Sequence, residues 1–203
     1  MTTDSRQVAV LALHWQVNVI EPEGFFGGLL AGPVRRSGVV ARAARFHAAV
    51  REAGIPVYFT RFTIPVGGGQ LVRNTGFMEA VDDVQELFRP DAGGAGLVEA
   101  MRPLAEPGHV IDNQKLSGLA GNDLPSLLAE RGVDTVFLTG VATNLTVEQT
   151  ARHGTDLGLT VYVVSDCVAA VSDEVHQASL ANLALTTRGL ITATEAAAAV
   201  GAA

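Results

Sequence analysis

Leu138-Thr-Gly-Val-Ala-Thr-Asn-Leu-Thr-Val-Glu-Gln-Thr-Ala-Arg152, followed by Gly158-Leu-Thr-Val-Tyr-Val-Val-Ser-Asp166, decides the fold. Thr135 to Leu138 is a short apolar, β-branched run. Asn144 to Leu157 reads as a helix that stops at Gly158, and Thr160 to Val164 is a second β-branched run. Strand, helix, glycine, strand makes one βαβ unit, which requires a parallel strand pair with the helix packed across it.

The same alternation extends through the chain. Val8 to Leu13, Ile55 to Phe59 and His109 to Ile111 are further strand-like runs bounded by turn residues. Ser37 to Ala53 is expected to be a helix with Ser37 as its N-cap and Gly54 past its end. Asp123 to Arg131 closes with Gly132, and Asp173 to Arg188 with Gly189. The expected class is therefore α/β: a single three-layer domain over residues 1–203, with a mostly parallel sheet of five or six strands flanked by helices. Glu21 to Gly38 and Thr63 to Gly96 break the rhythm and are expected to be long loops acting as lids. The Ala-rich end, Glu195 to Ala203, is expected to be a short helix or a frayed tail.

Composition removes several function classes. With 203 residues, 48% of them hydrophobic and 17% charged, the chain can bury one sizeable core and is not of the disordered kind. A net charge of −7, with the basic residues spread singly, would repel a phosphate backbone, so nucleic acid is not an expected partner. No apolar run is long enough to span a membrane or to serve as a signal peptide, and the expected location is the cytoplasm. The lone Cys167 reads as a small buried core residue. The five histidines lack the paired spacing of a structural zinc site. All but one of the 14 basic residues are arginine, and the exception is Lys115.

In a parallel sheet the ligand sits beyond the carboxyl ends of the strands, which directs attention to His14 to Asn18, Thr60 to Thr63, Asp112 to Leu116, Thr139 to Thr146 and Ser165 to Cys167. Three of these segments carry a resemblance. Gly140 to Arg152 matches, at every position but one, the pattern Gly-Val-Ala-Thr-Asn-x-Cys-Val-x-x-Thr-Ala-Arg. Val10-Leu-Ala-Leu-His-Trp-Gln16 is similar to an apolar strand ending in Asp-x-Gln. Val110-Ile-Asp-Asn-Gln-Lys-Leu-Ser-Gly-Leu-Ala-Gly-Asn-Asp-Leu124 is similar to a segment that begins with lysine. Together they resemble the isochorismatase-like, or cysteine hydrolase, family over about residues 8 to 193.

The resemblance implies hydrolysis of a small molecule by an Asp, Lys, Cys triad, yet all three positions are changed. Aspartate is replaced by His14, lysine by Asn113 and cysteine by Thr146, with Lys115, two residues on, as a rival for the lysine. A threonine hydroxyl is far less acidic than a thiol, so a helix start cannot ionise it and a base must take its proton. The ordinary cysteine amidase route is therefore closed. Backbone N–H groups from Ala142 to Thr146, in a segment that in the family carries a non-proline cis bond and forms the oxyanion hole, are an expected carbonyl or anion site. Arg61, Gln70 and Arg73 are expected to hold a substrate carboxylate, and Gln16, Lys115, Ala142 and Thr143 to line the site. Thr60 to Pro65 lacks the aspartate and histidines with which some members bind a metal, so no metal and no other cofactor is expected. His47, His109, His153 and His176 are expected to lie away from the site.

Three functions are compatible with this reading. The first is a hydrolase or lyase of a small carboxylated ring metabolite with His14 as general acid or base. The second is a rebuilt Thr146, His14, Asn113 nucleophilic hydrolase. The third is an inert fold used for ligand binding or as a partner subunit, for which a pocket plugged by Trp15, Phe25 or Phe26 would be the mark. The resemblance further implies a homodimer or homotetramer.

Overall fold

In the computed structural model, which describes residues 7–202, six strands form one sheet. They are β1 (Val8–Leu13), β2 (Val57–Phe62), β3 (Val110–Asn113), β4 (Thr135–Val141), β5 (Thr160–Ala169) and β6 (Gly189–Ile191), in the order β3-β2-β1-β4-β5-β6. Every adjacent pair is parallel. The order reverses between β1 and β4, and the crevice outside the carboxyl ends at such a switch point is where side chains from two strand ends converge.

Among the described residues eight α-helices accompany the sheet: α1 (Val17–Ile20), α2 (Gly27–Ser37), α3 (Val39–Glu52), α4 (Gly76–Asp82), α5 (Leu124–Glu130), α6 (Glu148–Asp156), α7 (Asp173–Thr186) and α8 (Ala193–Ala199). Alternation along β1 divides the core. Val8, Val10 and Ala12 face α1, α2, α3 and α8 through Val19, Leu30, Phe46 and Ala196. Ala9, Leu11 and Leu13 face α5, α6 and α7 through Leu124, Ala151 and Leu183. Both faces are thus covered, as a buried parallel sheet demands. No helix of the described residues is long and apolar enough to cross a membrane.

Several boundaries differ from the sequence reading. Glu21 to Gly38 is not a loop throughout: α2 occupies most of it despite Pro33 and three glycines, because Leu30, Ala31 and Val34 are buried against the core. Ser37 is the last residue of α2 rather than the cap of the next helix, and Gly38, at φ 65°, makes the turn into α3. Thr63 to Gly96 contains α4, capped by the Thr75 hydroxyl accepting from the Met78 N–H, and packs through Phe62, Ile64, Met78, Val81 and Phe88 as a small core of its own. The helix expected from Asn144 starts as a π-helical turn, Thr143–Val147, before α6. In the Ala-rich end, Thr192 and Glu195 form a capping box for α8.

Two buried details set the surroundings of the β1 and β4 strand ends. A Cβ at Gly140 would lie 2.1 Å from the Leu13 carbonyl oxygen, so only glycine lets β4 run this close to the end of β1. Behind the sheet, the Thr139 hydroxyl accepts from the Trp15 indole N–H at 3.4 Å and lies 2.9 Å from His47 Nε2. Burial pushes His47 down to about 3 and the Cys167 thiol up to about 12. Cys167 is a core residue, as the sequence suggests.

Candidate functional site

His14 leaves the end of β1 with φ 54°, a left-handed conformation that a non-glycine residue adopts only where surrounding structure enforces it. Leu13 is paired with Gly140, so the residues after both strands emerge side by side. Val141 and Ala142 follow, joined by a cis peptide bond, and the π-helical turn then carries Thr146 back toward His14. The Thr146 Oγ1 and His14 Nδ1 are 3.2 Å apart, and both residues are buried. The other ring nitrogen, His14 Nε2, is buried and has no hydrogen-bond partner among the described residues.

Burial lowers the His14 pKa from 6.5 to about 4, because taking the imidazolium out of water penalises the charged form. The ring is therefore neutral at pH 7. Two tautomers fit the contact. Either Thr146 donates its O–H to Nδ1 and Nε2 carries the proton, or Nδ1–H donates to the Thr146 oxygen and Nε2 is a bare base.

His14 and Thr146 line a cavity of about 60 Å³ together with Ala142 and apolar side chains that include Phe26, Leu30, Phe62, Phe77 and Leu145. Phe26 and Phe77 stack with ring centres 5.5 Å apart, joining the two segments expected to be lids. None of the three residues named as possible plugs fills the space. Trp15 is buried in the core, Phe25 is 38% exposed, and Phe26 forms part of the wall.

The other residues singled out from sequence lie elsewhere or are already engaged. Asn113 is buried, but its amide donates to the carbonyls of Lys115 and Ser117 and its oxygen accepts from the Lys115 N–H, so it shapes its own loop. Lys115 borders a separate groove with Gln149, Arg152 and Asp156. Arg61 places both Nε and a terminal nitrogen 2.8 Å from Asp112 Oδ1. Arg73 is paired with Asp82 at 2.6 and 2.8 Å. The Gln70 N–H donates to the Gln114 side-chain oxygen, and none of Arg61, Gln70 and Arg73 borders the His14 cavity. Gln16 is a clamp: its oxygen accepts from the Phe62 N–H at 2.6 Å and its nitrogen donates to the carbonyls of Phe62 and Ala95, each at 3.0 Å.

Thr143 is fully buried, with its hydroxyl 3.0 Å from His176 Nδ1 and its carbonyl accepting from Ser179, which also bonds Glu148. His176 is thus next to the site rather than away from it, bracing the turn that carries Thr146. Sequence reasoning also missed the cavity walls, Phe62, Phe77 and Leu145 among them. His153, by contrast, bonds Ser117. Among the described residues no group of three or more His, Cys, Asp and Glu side chains is placed to hold a metal ion. The end of β2 and the residues that follow it, Thr60 to Pro65, include no carboxylate and no imidazole, so they do not fit a metal centre there.

Comparison with known proteins agrees with the fold. An isochorismatase domain model matches residues 8–195. A ureidoacrylate amidohydrolase of Methylobacterium radiotolerans is 34% identical over 158 residues, covering 71% of this chain and 60% of that protein. Nicotinamidase 3 of Arabidopsis thaliana is 29% identical over 66% of this chain and 65% of its own. The match thus spans less than two thirds of either relative. A crystal structure of a cysteine hydrolase from Pseudomonas syringae superposes with a TM-score of 0.83 at 25% identity, covering 100% of this chain and 97% of that one.

Proposed function

The chain belongs to the isochorismatase family, and on that premise we propose that it hydrolyses a small molecule with His14 as general base and without a cysteine nucleophile. The observation that carries this reading is the buried contact between His14 Nδ1 and the Thr146 hydroxyl in the wall of the cavity. The relatives named for hydrolysis of a ureido acid and of nicotinamide support a carbon–nitrogen bond as the one broken.

In the favoured route Nδ1–H donates to Thr146, which fixes the ring, and Nε2 takes a proton from water as the water oxygen bonds to the carbonyl carbon. The proton then passes to the departing nitrogen. The amide N–H groups of the turn from Ala142 to Thr146, other than that of Leu145, which donates to the Ala142 carbonyl, are the donors this route assigns to the developing oxyanion. Protonation of an enol ether needs a strong enough acid that still holds its proton, and an imidazolium with a pKa of about 4 has already lost its proton at neutral pH. The inert reading is disfavoured by a cavity that is narrowed but not plugged.

A second reading keeps the same contact and reverses the proton. Thr146 gives its proton to Nδ1 as its oxygen bonds to the carbonyl carbon, the C–N bond breaks with that proton passing to the departing nitrogen, and water then hydrolyses the acyl enzyme that remains. It lacks the third group that usually orients such a base, since Asn113 is committed to backbone atoms and Nε2 is unpartnered. The test is a mass-spectrometric turnover screen over small amides, ureides and enol ethers, run beside His14→Gln. Product from the wild type, reduced at least about a hundredfold in the variant at an unchanged melting temperature, supports the proposal. Turnover that survives in His14→Gln overturns it.

A further inference from the structure

We propose that the His14 cavity selects uncharged substrates, a short apolar group joined to one neutral hydrogen-bonding function such as a carboxamide, and excludes carboxylates. The inference rests on the reading of this cavity as the substrate site and names the class it accepts.

The first support is the wall. Among the described residues that line the cavity there is no Arg, Lys, Asp or Glu, and its polar side chains are His14 and Thr146 alone. A carboxylate placed there would lose its hydration and gain no counter-charge, the costliest exchange a binding site can impose. An uncharged amide needs only a hydrogen-bond partner. His14 Nε2, buried and without one, is an orphaned polar atom that such a group would satisfy through the water held between them, the same water the proposed route activates.

The second support is the fate of the nearby cations. Arg61 is held by Asp112 and Arg73 by Asp82, so each guanidinium that the sequence offers for anion capture is already neutralised. Lys115 borders a different groove. His14 does not supply the missing charge, because burial keeps its ring neutral at pH 7. The third support is size and shape. A space of about 60 Å³, bordered by the Phe26 and Phe77 stack, suits a short alkyl group or the edge of one ring.

The test uses matched pairs of equal shape and different charge: isobutyramide against isobutyrate, and benzamide against benzoate. Each is titrated into the full chain at pH 7.5 while the imidazole resonances of His14, assigned with His14→Gln, are followed by NMR. Binding of an amide with its carboxylate weaker by at least roughly a hundredfold supports the inference. Equal binding, preference for the carboxylate, or binding of neither pair overturns it. Phe77→Arg supplies a further arm: Phe77 is 39% exposed, so the rim accepts a guanidinium, and the order of preference should invert. The two proposals fail separately. Amides that bind without turnover defeat the hydrolase and leave the selectivity standing; turnover of carboxylated substrates with no amide binding does the reverse.

Discussion

The Nδ1 of His14 and the hydroxyl of Thr146 lie 3.2 Å apart although 132 residues separate them in the chain. The fold makes this contact possible by pairing Leu13 with Gly140 at the reversal of strand order, so that two strand ends deliver one side chain each to the same buried point. The electrostatic consequence is a base in an unusual range. Because burial lowers the ring's pKa to about 4, kcat/KM is expected to hold level from pH 8 down to about 5 and to fall only as His14 protonates near 4. A pH–rate profile whose acidic limb lies near 6.5 would show that the ring is not desolvated as described.

Substitutions at Thr146 separate the two proton arrangements. With the water route, Thr146 only orients the ring, so Thr146→Val is expected to lower kcat by about tenfold and Thr146→Ser to retain most activity. With the covalent route, Thr146→Val abolishes turnover, and intact-mass spectrometry of the wild type with a slow substrate shows an acyl adduct. An adduct in the wild type, or complete loss in Thr146→Val, rejects the water route.

Much of the frame was legible because period and punctuation agreed. The β-branched runs alternated with helical stretches that closed at glycines, and the motif from Gly140 to Arg152 located the turn that carries Thr146. What was hidden depends on partners distant in sequence. Arg61 looked like a free cation until Asp112, 51 residues on, took it. Gln16 looked like a site residue until Phe62 and Ala95 consumed its amide. Helix α2 was masked by Gly27, Gly28, Gly32 and Pro33, which local propensity marks as loop, whereas burial of Leu30 and Val34 decides otherwise. His176 stood on a helix whose facing side no local pattern reveals, and only packing against Thr143 shows its role.

The two buried histidines, His14 and His47, also make stability depend on pH. In the folded chain His14 binds a proton only near 4 and His47 only near 3, whereas the unfolded rings bind near 6.5. Between those values the unfolded state holds more protons, so stability rises with pH, is complete above about 6.5, and is lost as pH falls toward 4. The loss from His14 alone is roughly 3 kcal/mol by the lower end of this window. His109 and His176, also lowered by partial burial, act with the same sign. The melting temperature is therefore expected to drop between pH 6.5 and 5, above the range where carboxylates titrate, and His14→Gln with His47→Gln should flatten the slope. A wild-type melting temperature that does not move across that interval contradicts both burials.

Gln16 offers a test of how the segment after β2 is held. Its side chain satisfies the Phe62 N–H and the carbonyls of Phe62 and Ala95, tying the end of β2 and the loop at Ala95 to the residue two places beyond His14. Removing it leaves those buried backbone groups unpaired beside a new void, so Gln16→Ala is expected to cost about 2–4 kcal/mol in urea unfolding. Gln16→Glu is the sharper probe. A carboxylate still accepts from the Phe62 N–H but has no hydrogen to give either carbonyl, and it brings an unpaired charge to a fully buried position. It should therefore be destabilised at pH 8 by at least as much as the alanine variant and recover part of the loss on acidification, when the added carboxyl gains a proton to donate. A Gln16→Glu variant as stable as the wild type at pH 8 would mean that the two carbonyl bonds contribute nothing, and that backbone hydrogen bonds such as that from the His14 N–H to the Thr60 carbonyl, together with packing, hold the strand end.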